Sequence, residues 1–505
     1  MKTKNIKYLF IAVAIVFTTV SCTEEFLEVT PKGTALEETY YKNADEAYSA
    51  LIAAYDKMSF NSSSWDNMIS FFNAGSDDNY GASAPGDAIS LFSFYKLTPT
   101  NMPQGFWSNH YQGIFRANTL LEKLPTIPMD ANLKLRFAAE CKAMRAYYHF
   151  NLVRMFGNIP LMSRTMSPVE AQNYPQSKPE DVYAQIEKDL MEAITDLPAS
   201  VNAATEGGRW TKGAAQAMLG KVYLYDGKNA EAAAQLAEVN GVPGGTSKYG
   251  YKLLSNFKDL WVHTNKFNTE SIIEDVHTDT GRADWGGLGF GTEGNVLNIM
   301  VGIRDYTRTA NSTAPDYFPG WGVNTVTQNL YDVMKTDPRF SATIIDVKAL
   351  IAAGQVVGYS SVNEASTNTG YFMAKFVPLK SDASTLGGDQ TLNFYQNTYI
   401  IRLADTYLLE AEALGGTGVR AQALLDAVRA RVGLPSTPVS LDAIALERRK
   451  ELACEGHRWF DLVRTGKAAS VLASRGFVAG KNEILPIPEK ELENSIIQQN
   501  PNYNQ

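Results

Sequence analysis

Glu447-Arg448-Arg449-Lys450-Glu451-Leu452-Ala453-Cys454-Glu455-Gly456-His457-Arg458-Trp459-Phe460-Asp461-Leu462-Val463-Arg464 is the stretch on which the reading of the fold turns. Together with the residues before it, this stretch reads as one long helix. Ser440 can accept from the first free N–H groups, Asp442 suits the positive end of the helix dipole, and apolar residues recur at Leu441, Ile444, Ala445, Leu452, Phe460 and Val463. The charges are less ordinary. Glu447, Glu451 and Glu455 stand at i, i+4 and i+8, one column in which each neighbouring pair repels by roughly 0.2–0.5 kcal/mol. Such a column needs cations, from Arg458 three residues beyond Glu455 or from Arg402, Arg429 and Arg431 on other helices. The expectation is a partly buried ion network of Glu447, Glu451, Glu455 and Arg458 that ties helices together, with Trp459 and Phe460 as its apolar anchor. A catalytic carboxylate pair is the competing reading.

Working outward, the helical pattern continues on the N-terminal side. Ile400–Leu414 carries Ile400, Leu403, Ala404, Tyr407, Leu408 and Ala411 in one stripe. Thr417–Val432 buries Ala421, Leu424, Leu425, Val428 and Val432. Short loops between these segments imply antiparallel neighbours, so residues 400–505 read as a helical bundle followed by an extended tail, Ile484-Leu485-Pro486-Ile487-Pro488. A second helical part spans 43–239, with helices expected at Asn43–Met58, Tyr111–Leu124, Leu133–Phe156, Pro179–Leu197, Thr211–Tyr225 and Asn229–Val239. Helix, tight turn and helix within about 30 residues resembles a tetratricopeptide-type unit, and the irregular spacing elsewhere excludes a clean solenoid. The fold class expected is mostly α: tetratricopeptide-like helical pairs forming a scaffold.

Two segments break the pattern. Residues 59–107 turn polar and aromatic (Trp65, Phe71, Phe72, Asn73, Asp77, Asp78) and read as a long surface excursion. Residues 240–399 lose periodicity to Gly, Asn, Thr and aromatics and read as a loop-rich lobe inserted between the two helical parts. Its glycine-dense run, Trp285-Gly286-Gly287-Leu288-Gly289-Phe290-Gly291, lacks the strand-then-helix context of a nucleotide site.

The N-terminus reads as an address. Lys2, Lys4 and Lys7 precede an apolar run from Tyr8 to Phe17, too short to span a bilayer, so residues 1–21 are expected to be a signal peptide. Thr19-Val20-Ser21-Cys22 resembles the lipobox of bacterial lipoproteins, which implies acylation at Cys22 and a lipidated tether over 22–42. Thr23-Glu24-Glu25 resembles the surface-export signal of some Gram-negative lipoproteins. The remaining cysteines, Cys141 and Cys454, fall in helical stretches and read as buried free thiols.

The totals narrow the function. With 505 residues, 45% of them hydrophobic, the chain can bury a large core, and its net charge of −8 argues against nucleic acid as a main partner. His110, His149, His263, His277 and His457 show no metal-ligand spacing, and no Ser/His/Asp order, P-loop or cofactor motif is evident. No metal and no cofactor are expected.

Several separate stretches together resemble the SusD/RagB family of outer-membrane lipoproteins. They are Glu447-Arg448-Arg449 with Glu451-Leu452, Glu455-Gly456-His457-Arg458-Trp459-Phe460-Asp461-Leu462, Arg402-Leu403-Ala404-Asp405-Thr406-Tyr407-Leu408-Leu409, Trp210-Thr211-Lys212-Gly213-Ala214-Ala215, Arg116-Ala117-Asn118, Phe156-Gly157-Asn158-Ile159-Pro160-Leu161 and the tail Leu485-Pro486-Ile487-Pro488. Asn502 departs from the glycine usual in that tail. The resemblance implies a lipid-anchored protein on the outside of the outer membrane that is not an enzyme. It also implies a partner, a TonB-dependent transporter of the SusC type, to which captured oligosaccharide is delivered; a minority of the family handles peptides or other nutrients.

Sugar recognition needs aromatic faces for C–H groups and planar polar groups for hydroxyls. The ligand-binding candidates are therefore Trp65, Asn73, Asp77 and Asp78 from the first irregular segment and Trp285, Arg304, Tyr306 and Trp321 from the second. Trp107, just ahead of a helix, is assigned to the core.

Overall fold

The computed structural model describes residues 40–286, 293–362 and 367–503. The signal peptide, Cys22, nearly all of the tether and residues 287–292 of the glycine run lie outside the described residues.

The helices stack in chain order. α1 (Ala44–Tyr55), capped by Asn43, packs on α3 (Gly105–Lys123), and α3 packs on α4 (Ala131–Phe156), whose N-terminus is capped by Asp130. α4 packs on α5 (Pro179–Asp196), α5 on α6 (Lys212–Tyr225), and α6 on α7 (Asn229–Asn240). α7 then meets α9 (Leu403–Ala413), about 160 residues further along the chain, and α9 packs on both α10 (Gly418–Arg431) and α11 (Leu441–Glu451). The helical parts on either side of the loop-rich segment thus form one continuous scaffold. That segment leaves and returns through a single antiparallel pair, β1 (Ser271–Asp275) with β2 (Thr398–Arg402), in the register Glu274 to Tyr399 and Asp275 to Thr398. Ile400–Arg402, expected as helix, is therefore strand. Its apolar run fits a buried strand as well as it fits a helix, and pairing with β1 decides.

The opening stretch is not one helix. α11 ends at Glu451, six residues turn, and α12 (Arg458–Arg464) begins. Cys454 and Gly456 both have positive φ, +68° and +81°. Glycine takes this conformation freely, whereas at Cys454 it costs roughly 1–2 kcal/mol. The break is held from outside. Asn73 donates through Nδ2 to the Cys454 carbonyl (2.8 Å) and accepts at Oδ1 from the Gly456 N–H (2.9 Å).

The segment 59–107 is a further correction. Much of it is interior: α2 (Met68–Ala74) buries every residue, and Phe71, Phe72 and Phe92 pack with Phe106, Trp459 and Phe460. A short helix buried all round has no polar face, so it carries no amphipathic period to read. Trp107 lies in the core as expected.

Candidate functional site

Three tryptophans from distant parts of the chain meet at the surface. Trp321 stands in the middle, its ring centroid 5.2 Å from that of Trp65 and 5.8 Å from that of Trp285, with planes inclined at 45° and 41°. Trp65 is 38% exposed and Trp285 49%, so their faces are open to solvent.

Each ring is fixed by backbone contacts. Trp65 rides on the turn between Ser62 and Asn67. The Leu297 N–H donates to the Ser62 carbonyl (3.0 Å), and Asn67 both caps α2 at Ser70 and donates to the Ser64 carbonyl (2.7 Å). Trp321 lies on a segment that clasps the end of α8 (Val296–Val301). Trp321 N–H donates to Ile299, Gly322 to Gly302, and Val323 to Met300, all at 2.8–2.9 Å. The clasp needs glycine at both faces, because a Cβ on Gly302 would stand 2.7 Å from the Gly320 Cα. The Trp285 turn is strapped by Asn393, which accepts from Ala283 N–H (2.9 Å) and donates to its carbonyl (2.8 Å). Arg304 borders this platform, since a Cβ on Gly322 would lie 3.5 Å from its own Cβ, and its half-exposed guanidinium has a long 4.0 Å contact with Asp305.

The other candidates lie elsewhere. Tyr306 is 4% exposed, its hydroxyl donating to the Pro315 carbonyl (3.0 Å) and its ring set edge-on to Tyr317. Asn73 is 2% exposed and committed to the Cys454–Gly456 turn. Asp77 takes both guanidinium bonds of Arg458 (2.8 and 3.0 Å). Burial raises its carboxyl and Arg458 and Arg449 more than reverse that, leaving it below the usual range. Asp78, deeper, is pushed up by burial, with the Arg449 charge opposing and Asp77 adding to the rise.

Arg458 thus serves Asp77 rather than Glu455. The glutamate column finds its cations on other segments. Arg339 bridges Glu447 (2.7 Å) and Glu451 (2.8 Å), Arg429 reaches Glu447 (2.8 Å), Arg431 pairs with Glu451, and Arg402 reaches both Glu451 and Glu455. Lys375 completes the set on Glu455 (2.7 Å). Burial opposes ionisation of Glu451, yet Arg431, Arg402 and Arg339 hold its carboxyl well below the usual carboxylate range. All three glutamates are buried, and each carboxylate is engaged by a cation from another segment.

One polar cluster leaves no trace in the sequence order. Ser62 Oγ, Asp275 Oδ2 and His277 Nε2 lie within 2.7–3.1 Å of one another, all buried, with Thr398 Oγ1 3.0 Å from Ser62. In a hydrolytic triad the acid sits on the ring nitrogen opposite the serine; here both converge on Nε2. The cluster pins the Trp65 turn to β1 and β2.

Comparison with known proteins places this architecture. Residues 304–503 match the profile described as the SusD family, and residues 26–224 match one described as "Starch-binding associating with outer membrane". A solved structure titled "Laminarin binding SusD-like protein" is 56% identical, covers 92% of this chain and all of its own, and superposes with a TM-score of 0.89. The chain belongs to the SusD family. A SusD-like protein of Bacteroides ovatus is 26% identical over 462 residues, 88% of this chain and 79% of that one. Surface glycan-binding protein A of Bacteroides thetaiotaomicron, 24% identical over 92% of this chain and all of its own, shares the fold with a TM-score of 0.80. As in those relatives, this SusD-family chain is a helical scaffold carrying a loop-rich lobe. Its three tryptophans occupy one face of that lobe together with the turn before α2.

Proposed function

We propose that this protein binds a glycan on the Trp65–Trp321–Trp285 platform, and that the glycan is a β-1,3-linked glucan of the laminarin type. The observation that carries the reading is the convergence of three indoles, two of them exposed and the central one half-buried, at 5–6 Å spacing, from turns about 36 and 220 residues apart. Their planes turn by more than 40° at each step, which suits a chain whose successive sugar rings also turn, as β-1,3 linkages impose, better than a flat ribbon. The identity to the laminarin-binding relative supports the same ligand class.

The chemistry is recognition without turnover. The protein is held at the outer membrane by lipid on Cys22, faces outward, and passes its ligand to a SusC-type TonB-dependent transporter, with 43–239 and 400–505 as the rigid frame and 240–399 as the recognition lobe. The direct test is retardation of the mature protein in laminarin-containing affinity gels. Retention should vanish in Trp321→Ala, and equal mobility with and without laminarin would refute the reading. Release of reducing ends on incubation would refute the non-catalytic part. For the anchor, Cys22→Ala should move the protein from the membrane fraction to the soluble one.

A further inference from the structure

One small cavity is lined by donors that the chain itself does not meet. It encloses about 60 Å³ where α2, α4, α6, β2 and the Glu455–His457 turn come together. Asn151 and Arg154, one turn apart on α4, both line it. Arg154 Nη2 donates to Asn151 Oδ1. A guanidinium can only donate, so the amide must offer it the oxygen, and Asn151 Nδ2 is left as a donor. Asn151 is 1% exposed, and its Nδ2 and Arg154 Nε are both shut off from solvent with no hydrogen-bond partner among the described residues. The Tyr147 hydroxyl, one turn back on α4, is felt by Asn151 without a bond that satisfies Nδ2. Two donors cannot satisfy each other. What both lack is an acceptor.

The charges point the same way. Among the described residues Arg154 has no carboxylate within ion-pair distance; its guanidinium carbon lies 4.3 Å from the centre of the Phe150 ring and 4.1 Å from that of Phe460. Rings cover the face of a guanidinium and leave its N–H edge open. The other charged groups of the cavity are engaged: Lys221 by Asp405 (3.1 Å), and Glu455 by Lys375 (2.7 Å) and Arg402 (2.8 and 2.9 Å). Burial and the Lys221 charge push His457 down to about 4, so its ring is neutral at pH 7. Arg154 is the charge left over. Water would meet the N–H groups and leave that charge uncompensated in a shielded place.

We propose that this cavity is a binding site for a small monovalent anion of the size of chloride, held between Arg154 Nε and Asn151 Nδ2. An anion supplies the acceptor that both donors lack, in charge-assisted bonds, and the counter-charge that Arg154 lacks. A water molecule takes up about 30 Å³ of the liquid, so the cavity admits about two groups of that size and no sugar ring. Its walls come from the helices, from the strand by which the loop-rich lobe returns and from the turn before α12, so an ion there ties lobe to scaffold. The inference is independent of the tryptophan platform.

The test uses bromide as the probe, on the full mature protein. In crystals soaked in sodium bromide, anomalous scattering should place a peak within hydrogen-bond reach of both Arg154 Nε and Asn151 Nδ2. In solution at constant ionic strength, replacing gluconate, which is too large for the cavity, by chloride should raise the melting temperature saturably, by about 2 °C or more. Asn151→Asp, nearly isosteric, gives Arg154 a carboxylate of its own and turns an acceptor toward the anion. It should melt no lower than the unaltered protein in gluconate and lose the chloride response. Arg154→Gln should lose the response as well. Ordered water without an anomalous peak in the cavity, or bromide confined to the surface, overturns the proposal. So does a chloride response that is absent in the unaltered protein or undiminished in Asn151→Asp. The bromide measurement needs no substitution, so a variant that fails to fold leaves the proposal decidable.

Discussion

Arg402 holds Glu451 at two points: its Nη1 lies 2.6 Å from the carboxylate Oε1, and its Nη2 lies 2.8 Å from the Glu451 main-chain carbonyl. Arg402 ends β2 and precedes α9, while Glu451 ends α11. One side chain therefore joins the return strand of the loop lobe to the last turn of the C-terminal helix, and satisfies a carbonyl that the helix end leaves open.

Glu451→Gln should expose the weight of that junction. It removes one charge from a site where Arg402, Arg431 and Arg339 converge, and breaking such a buried network costs about 3–5 kcal/mol. Thermal unfolding should shift down markedly while laminarin affinity stays put, because the platform is built on other segments. The pH dependence has a definite sign. Glu451, Glu455 and Asp461 all titrate below the usual range in the fold, because neighbouring arginines outweigh their burial. Their stabilisation is complete above the ordinary carboxylate pKa of about 4 and is lost as pH falls below it, so the deficit of Glu451→Gln should shrink in acid. A deficit that is constant from about pH 7 to pH 3 would show that the charge is not what matters.

Asn73→Ala tests the break in the opening stretch. The asparagine is the sole bridge described between α2 and the Cys454–Gly456 turn that uses both ends of one amide. Truncation leaves a buried carbonyl unmet, at about 1–3 kcal/mol, and frees the half-buried Gly456 N–H. Hydrogen exchange should speed up at Gly456 before it does so in α9, and an unchanged Gly456 amide would remove Asn73 from this role.

The sequence carried the scaffold well and the lobe poorly, for a physical reason. Helix α5 has one face in the core and shows its period, while α4 and α6, buried over most of their residues, are long enough to be legible from length and flanking breaks. α2 and β2 are buried on all sides and lose that period. The same holds for the site. Trp65, Trp285 and Trp321 could be picked as aromatics in irregular segments, and the fold brings them together. Asn73, Asp77 and Asp78, picked on the same grounds, are drawn inward by partners about 370–380 residues away, Cys454, Arg458 and Arg449.

Asp66→Asn should act on stability in the direction opposite to Glu451→Gln. The carboxyl is pushed up to about 6 by burial and by Asp87, so the folded state prefers it protonated. Its contribution is fully present below the unfolded pKa of about 4 and is lost as pH rises through about 6. The amide carries no charge at any pH. Asp66→Asn should therefore melt higher than the unaltered protein near pH 7.5 and equally near pH 4; a lower melting temperature at neutral pH would mean that Asp66 has a structural partner.

The three tryptophans should not contribute equally. Trp321 touches both of the others, whereas Trp65 and Trp285 each touch only Trp321 within the platform. Removing an outer ring shortens the platform; removing the central one also frees its neighbours to relax and opens the middle of the contact to water. Central, packed aromatics carry the largest truncation costs, about 2 kcal/mol or more, which is about thirtyfold in affinity, with near-neutral or modest costs at the edge. Trp321→Ala should thus lose at least about thirtyfold in laminarin affinity, and Trp65→Ala and Trp285→Ala several-fold each. The double variant Trp65→Ala/Trp285→Ala should be roughly additive, since the two rings share no contact, while any pair that includes Trp321 should fall short of additivity. Equal losses at all three positions would mean that the rings act as independent subsites rather than as one surface.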